Sequence, residues 1–394
     1  MAKVGDVFLL IRNGASIKQT EGASGLPITR IETISSRVVD RNKMGYADVV
    51  DNGEYDDYIL QDGDILMSHI NSEKHLGKTA IYENLDSEKI IHGMNLLVLR
   101  CDERLIPKYA YYFFNSNRFI HQIPNITKKS VNQASFNVSA LKQLYIPVPD
   151  KEVQKDIISV LDKVDNLCDC YNKQLNDLEL LIKSRFIEMF GDPNINPYHW
   201  PMVKNGFVIK SCESGWSGNG VQRARKSGEI AVLKVSAVTK GYFISDECKV
   251  LDNQEQIKKY VFPEKGDLLF SRANTREMVG ATAIIYNDYP ELILPDKLWK
   301  LKFIDIVNVV YMKHVLSCNH IRSQFSLISN GTSGSMYNVS MSKFKEIDIP
   351  LPPIDLQNKF ADFVHQTEKS KLEVQKSLEE LETLKKSLMQ QYFG

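Results

Sequence analysis

The sequence predicts an α+β protein of two similar modules, each followed by a long helix. The two helices are expected to pair as an antiparallel coiled coil within an internal pseudo-two-fold repeat. Three observations predict this. The stretch from Ile146 to Gly191 is written again from Ile349 to Gly394, opening IPVPDKEVQ and IPLPPIDLQ and closing RFIEMFG and MQQYFG, with every position displaced by 203 and no gap. Both copies place apolar residues at alternating spacings of four and three, the period of a coiled-coil seam. The segments ahead of them mix short β-prone runs with turns, and Gly63-Asp-Ile-Leu-Met-Ser68 recurs as Gly266-Asp-Leu-Leu-Phe-Ser271 at the same displacement. A period this long marks a duplicated structural unit.

The divisions follow directly: a first module over 1–145, a repeat helix over 146–191, a second module over 192–348 and a second repeat helix over 349–394. In the first module, Val4–Ile11, Leu26–Ile34, Ile65–Met67 and Ile90–Leu99 are β-prone, and Tyr109–Arg118 reads as a helix with Tyr109, Tyr112 and Phe113 on one side. The duplicated frame extends beyond the GDxLxS stretch. Asn71 matches Asn274, Gly77 matches Gly280, and Thr79-Ala80-Ile81 matches Thr282-Ala283-Ile284, but the loop contents between the frames differ. A further echo precedes each helix, Phe136-Asn-Val-Ser139 and Tyr337-Asn-Val-Ser340, in polar loops rich in hydroxyls and amides. Such loops suit hydrogen bonds to phosphates and base edges, and they equally suit ordinary turns.

Each repeat helix has a clear start. Pro147/Pro149 and Pro350/Pro352 hold the preceding chain extended, and Asp150, Glu152 and Asp355 sit where a helix N-terminus favours negative charge. The first seam runs Ile157, Leu161, Val164, Cys168, Tyr171, Leu175, Leu178, Ile182; the second runs Phe360, Val364, Val374, Leu378, Leu381, Leu388. Thr367, Lys371 and Lys385 interrupt the second with polar groups. Two unrelated core helices are the plainer reading of one such pattern, but two copies in matched register point to each other as partners. Helical from Val153 to Phe190, a rod would span on the order of 55 Å and hold its modules apart.

Gly191-Asp-Pro-Asn-Ile-Asn-Pro is a breaker-rich linker, after which the second module restarts with Gly206 near the place of Gly5. Its GWSGNG stretch, Gly215 to Gly220, lacks the Lys-Ser/Thr ending of a phosphate-binding loop. Arg223, Arg225 and Lys226 then form the densest basic cluster of the chain.

Composition bounds the function. Lys plus Arg and Asp plus Glu both number 49, so there is no overall field to attract a polyanion. The second module carries 20 basic against 16 acidic side chains, and the first repeat helix 6 against 9. No apolar run approaches the ~20 residues of a membrane span. The six cysteines show no C-x-x-C and read as free thiols of a reducing cytoplasm, and the eight histidines have no metal-ligand spacing. Neither an Asp/Asn-Pro-Pro-aromatic motif, a Walker A sequence nor a nuclease core is evident. The chain is expected to be no enzyme, with no bound cofactor or metal.

In its order of module, helix, module and matching helix, with the I-P-x-P-x-x-x-x-Q starts, the GDxLxS frames and the Phe-Gly ends, the chain resembles the specificity subunit of a type I restriction–modification system. The resemblance covers essentially the whole length. It implies that each module is a target-recognition domain reading one half of a split, asymmetric site in double-stranded DNA, and that the paired helices fix the unread spacer. It implies as partners two methyltransferase subunits, which use S-adenosylmethionine on adenine N6, and restriction subunits that use ATP and Mg, all in the cytoplasm. Loop position and chemistry nominate Asn71, Lys74, Lys78, Lys128, Lys129 and Asn132 in the first module for DNA contact. In the second they nominate Arg223, Arg225, Lys226, Arg272, Asn274 and Arg276, since Arg suits guanine edges and phosphates. His69, in the same loop region, reads as a hydrogen-bonding residue. A duplicated coiled-coil adaptor that binds proteins but no DNA is the alternative, favoured by the zero net charge.

Overall fold

The computed structural model describes residues 1–20, 25–130, 133–226, 228–251, 255, 257–329 and 337–394. Its contacts divide the chain into two units, Met1–Lys173 with Gln375–Gly394, and Gln174–Val374. Each unit holds one module, half of the first long helix and half of the second.

The first unit is built on an antiparallel sheet in the order Phe8–Asn13, Leu96–Cys101, Ile65–Ser68, Thr79–Ile81. Alternate side chains of a strand point to opposite faces, and here both faces are buried. Ile65, Met67, Leu97 and Leu99 join one core with the helix Pro107–Phe114; Leu66, Leu96 and Val98 join another with Tyr82 and Leu60. That double burial is why these strands read as unbroken apolar runs. The Asp64 carboxylate accepts from Gln61 N–H at 2.8 Å and takes the Arg100 guanidinium at 2.8 Å on each oxygen, locking the turn that opens the GDxLxS frame.

The second unit repeats the order: Ile209–Ser214, Leu298–Phe303, Leu268–Ser271, Thr282–Ile284. Asp267 again accepts from the backbone, from Glu264 N–H at 2.7 Å, with Lys300 as its cation at 3.3 Å. A further sheet, Gly220–Val221, Cys248–Leu251, Ala231–Leu233 and Leu292–Ile293, covers the other face, its last pairing parallel.

Several element bounds differ from the sequence reading, each for a local reason. Val4–Asp6 is a 3-10 turn, and the strand is Phe8–Asn13. Leu26–Ile34 divides into the strand Leu26–Ile28 and the 3-10 turn Ile31–Ile34, whose start is closed by Arg30 N–H donating to Thr33 Oγ1. Ile90 and Ile91 are buried but precede the strand Leu96–Cys101; Ile91 makes only isolated bridges, to Ile28 and Ile59. The helix expected to reach Arg118 stops at Phe114, because Ser116 caps a new short helix, Asn117–Ile120.

The two long helices are Lys151–Phe190 and Ile354–Phe393, each 40 residues. Their starts explain the I-P-x-P-x-x-x-x-Q motif. Gln154 and Gln357 are fully buried. Gln154 Oε1 accepts from Ile106 N–H at 2.9 Å, while its Nε2 donates to Arg104 and Pro149 carbonyls, both at 2.8 Å. Gln357 does the same with Asn308 N–H at 2.9 Å, Ile306 O at 3.2 Å and Pro352 O at 2.8 Å. One amide thus satisfies three backbone groups and fastens each helix to the loop leading into a module helix.

Burial along the helices follows the heptad. Ile157, Leu161, Val164 and Ile182 are buried, as are Phe360, Val364, Val374 and Leu378; Tyr171, Leu175, Leu178, Leu381 and Leu388 are half-buried. In the first unit, Ile157 and Leu161 share a core with Phe393, and Lys385 pairs with Asp165. In the second, Phe190 meets Phe360 at 5.4 Å between ring centroids and Glu179 meets Lys371 at 3.4 Å, so the helical segments of that unit run antiparallel. The seam positions that look weak in sequence are occupied. Lys371 and Lys385 reach carboxylates on the facing helix, and Thr367 donates to Phe363 O at 2.9 Å.

Candidate nucleic-acid interface

Each unit carries a small β-ribbon immediately beyond its GDxLxS strand. In the first, Ile70–Asn71 pairs with Ala134–Ser135, which pairs in turn with Lys128–Lys129. In the second, Ala273–Asn274 pairs with Tyr337–Asn338. Asn71 lies opposite Ala134 and Asn274 opposite Tyr337, so the ladder keeps the displacement of 203. Asn71 and Asn274 also turn their chains alike, each side-chain oxygen accepting the next residue's N–H at 2.7 and 2.9 Å.

That register corrects one sequence alignment. The echo FNVS/YNVS places Asn137 on Asn338, but the structure places Asn137 on Ser340. Asn137 Oδ1 accepts from Ala140 N–H and Ser340 Oγ from Lys343 N–H, each as an N-cap, and Phe136 N–H and Val339 N–H donate to His69 O and Arg272 O. Asn and Ser cap helices equally well, so the letters drifted by two while the ladder and cap stayed.

The ribbon of the first unit brings together most of its nominated residues. Lys128, Lys129 and Lys74 are exposed, and Lys129 Nζ pairs with Glu73 at 2.8 Å. Ser68, Asn71, His75 and Lys78 border a cavity of about 120 Å³, with Lys78 Nζ donating to Ser35 O at 3.0 Å. Asn132 lies outside the described residues. His69 is a correction: its ring is buried edge-on to Phe136 rather than offered to a ligand, its Nδ1 has no partner among the described residues, and burial pushes its pKa down to about 4.

In the second unit, Arg272, Asn274 and Arg276 share the ribbon and its turn, Arg276 being exposed. Arg223, Arg225 and Lys226 occupy a different segment, beyond Gly220–Val221. Arg223 grips Glu229 through both nitrogens at 2.7 and 2.8 Å, which holds that carboxyl near 2, and Arg225 reaches Glu291 at 3.2 Å. Sequence reasoning named these cations but not their carboxylates. It also passed over Asn338, though that residue stood within the quoted echo and its partner Arg272 was already nominated. Among the described residues, no three His, Cys, Asp or Glu side chains are placed to hold a metal, and no helix is long and apolar enough to cross a membrane.

The family model for the type I restriction modification DNA specificity domain matches this chain twice, over residues 1–180 and 202–383. The chain belongs to this specificity family. Among similar proteins, the putative type I restriction enzyme MjaX specificity subunit of Methanocaldococcus jannaschii is 43% identical over 186 residues, 47% of this chain and 44% of that one. The EcoKI specificity subunit of Escherichia coli K12 is 26% identical over 168 residues, 42% and 36% of the two chains. The matched stretches therefore span less than half the length of those relatives. Two solved structures cover all of this chain at 15% identity: the S subunit of the type I system from M. genitalium, with a TM-score of 0.56 over 95% of its chain, and a structure described for type I assembly and conformational transition, with 0.57 over 96%. They share the fold of this specificity-family chain.

Proposed function

We propose that this chain is the DNA-recognition subunit of a type I restriction–modification complex. Each module would read one half of a split, asymmetric site in duplex DNA, and the long helices would pair along their length as an antiparallel coiled coil that sets the spacer. The observation that carries the reading is the ribbon repeated at the same register in both units, with Asn71 and Asn274 in common and different cations around them. A shared frame with divergent loops is what reading two different sequences requires. A rigid separation converts helix length into half-site spacing, at about 34 Å per duplex turn. Methyltransferase and restriction subunits would supply the chemistry, with S-adenosylmethionine, ATP and Mg bound on them; this chain's part is non-catalytic.

The test is methylation mapping in a methylation-free host that coexpresses the chain with its methyltransferase. The expected result is a split adenine-containing motif with a fixed spacer, one half of which changes when residues 192–348 are exchanged for another module. An active methyltransferase that marks the same sites without this chain would remove the reading. The pairing of Lys129, Arg223 and Arg225 with carboxylates favours a second reading, a protein adaptor without DNA contact. Binding of the complex to DNA that weakens steeply with salt would exclude it.

A further inference from the structure

The guanidinium best placed by sequence to touch DNA is engaged elsewhere. Arg272 Nε donates to Asp296 O at 2.8 Å and Nη1 to Asn338 Oδ1 at 2.7 Å. Its backbone makes two more ties, N–H to Lys297 O at 3.1 Å and carbonyl from Val339 N–H at 2.9 Å. Asp296 in turn holds the Gly-rich stretch: its carboxylate accepts from Ser217 Oγ, and its N–H donates to the same hydroxyl at 3.2 Å. Arg272 therefore ties the segments around 296 and 338 together at the root of the ribbon that carries Asn274 and Arg276, and Asp296 carries the link on to Ser217.

We propose that Arg272 is a positioning residue for sequence reading by the second module. It fixes the ribbon and the Gly-rich stretch against each other, so that groups on both meet the DNA pre-arranged. This rests on the proposed function above. The first unit shows what the same backbone site does without the clamp. His69 occupies it, keeps the carbonyl tie to Phe136 N–H, and sends a buried neutral ring inward, while a third strand, Lys128–Lys129, braces that ribbon. A planar guanidinium can hold two acceptors in fixed directions, which lysine cannot.

The test uses the full chain in its methyltransferase complex and compares wild type, Arg272→Ala, Asn338→Ala and the double variant by methylation mapping and by binding to a cognate duplex over a salt series. Asn338→Ala breaks the clamp from its exposed end, so the proposal stays testable if Arg272→Ala fails to fold. The expected result is that both single variants blur the same positions of one half-motif by about tenfold, leave the other half intact, and keep the wild-type salt slope. The double variant should be no worse than Arg272→Ala, because coupled residues are non-additive. Three outcomes overturn the proposal: an unchanged motif, single variants that blur different positions additively, or a salt slope reduced by about one, which would mark Arg272 as a phosphate contact. A wild-type complex without any split motif would instead remove the underlying reading, and the proposal with it.

Discussion

Replacing Gln357 by leucine tests the account of the helix start. The side chain is fully buried and serves Asn308 N–H, Ile306 O and Pro352 O. Leucine fills a similar volume but leaves one donor and two acceptors dry. A buried group stripped of its partner costs about 1–3 kcal/mol; with leucine's apolar burial set against three such groups, a net loss of about 3 kcal/mol is expected. For a unit near 200 residues that lowers the melting temperature by roughly 6–12 °C. The three tryptophans, Trp200, Trp216 and Trp299, all lie in the second unit, so their fluorescence reports its unfolding. Hydrogen exchange adds location, since 3 kcal/mol speeds opening around 306–309 by about a hundredfold. Gln154→Leu is the internal control and should accelerate exchange around 104–107 instead. Gln357→Glu keeps the acceptor for Asn308 but turns a carboxylate toward two carbonyls. Its folded-state pKa should therefore rise, and its stability should fall as pH rises. An unfolding free energy for Gln357→Leu within about 0.5 kcal/mol of wild type would refute the latch.

Three further outcomes are expected. His69 is held down to about 4 by burial, so the unfolded chain takes the proton first; stability present above pH 6.5 drains away toward pH 4, by about 2 kcal/mol at pH 5. His69→Phe should flatten that part of the unfolding-versus-pH profile, while His92, pushed by burial to about 3, and His314, pushed by burial to about 4, keep their own shares. Lys371→Glu faces Glu179 and Glu368 and should cost about 1 kcal/mol in chemical denaturation, whereas Lys371→Leu should be neutral or stabilising. Gly280→Ala forces a Cβ to 2.2 Å from the Phe325 ring at φ +81 and should cost about 3 kcal/mol; Gly241→Ala, at φ +79 with open space around it, should cost about 1, read by the same denaturation.

The frame of the fold was legible because it was written twice. A seam of spacing four and three, matched over two copies, specifies helices of this length regardless of what surrounds them, and the GDxLxS strands are apolar on both faces because both faces are covered. Strand edges were less legible. Leu26–Ile34 reads as one β-prone run, yet the strand ends at Ile28 and the chain enters a 3-10 turn at Ile31, a choice made by the Arg30–Thr33 hydrogen bond rather than by periodicity. The site divided the same way. Asn71 and Asn274 were found from the repeat, and the structure sets them at equivalent ladder positions. His69 was misjudged because a polar loop says nothing about which side chain turns inward.

What the sequence by itself determined is the duplication, the heptad spacing, the family and the polar loops beside the repeated frames, since these are carried by spacing and by local chain stiffness. What the tertiary structure decided is the employment of each polar side chain. Gln154 and Gln357 are latches, Lys371 and Lys385 are seam partners for acids, Arg223 is held by Glu229, and Arg272 clamps Asp296 to Asn338. Hydrogen bonds and ion pairs act only over a few ångströms between atoms brought together by folding, and residues 217, 296 and 338 have no neighbourhood until the strands are paired.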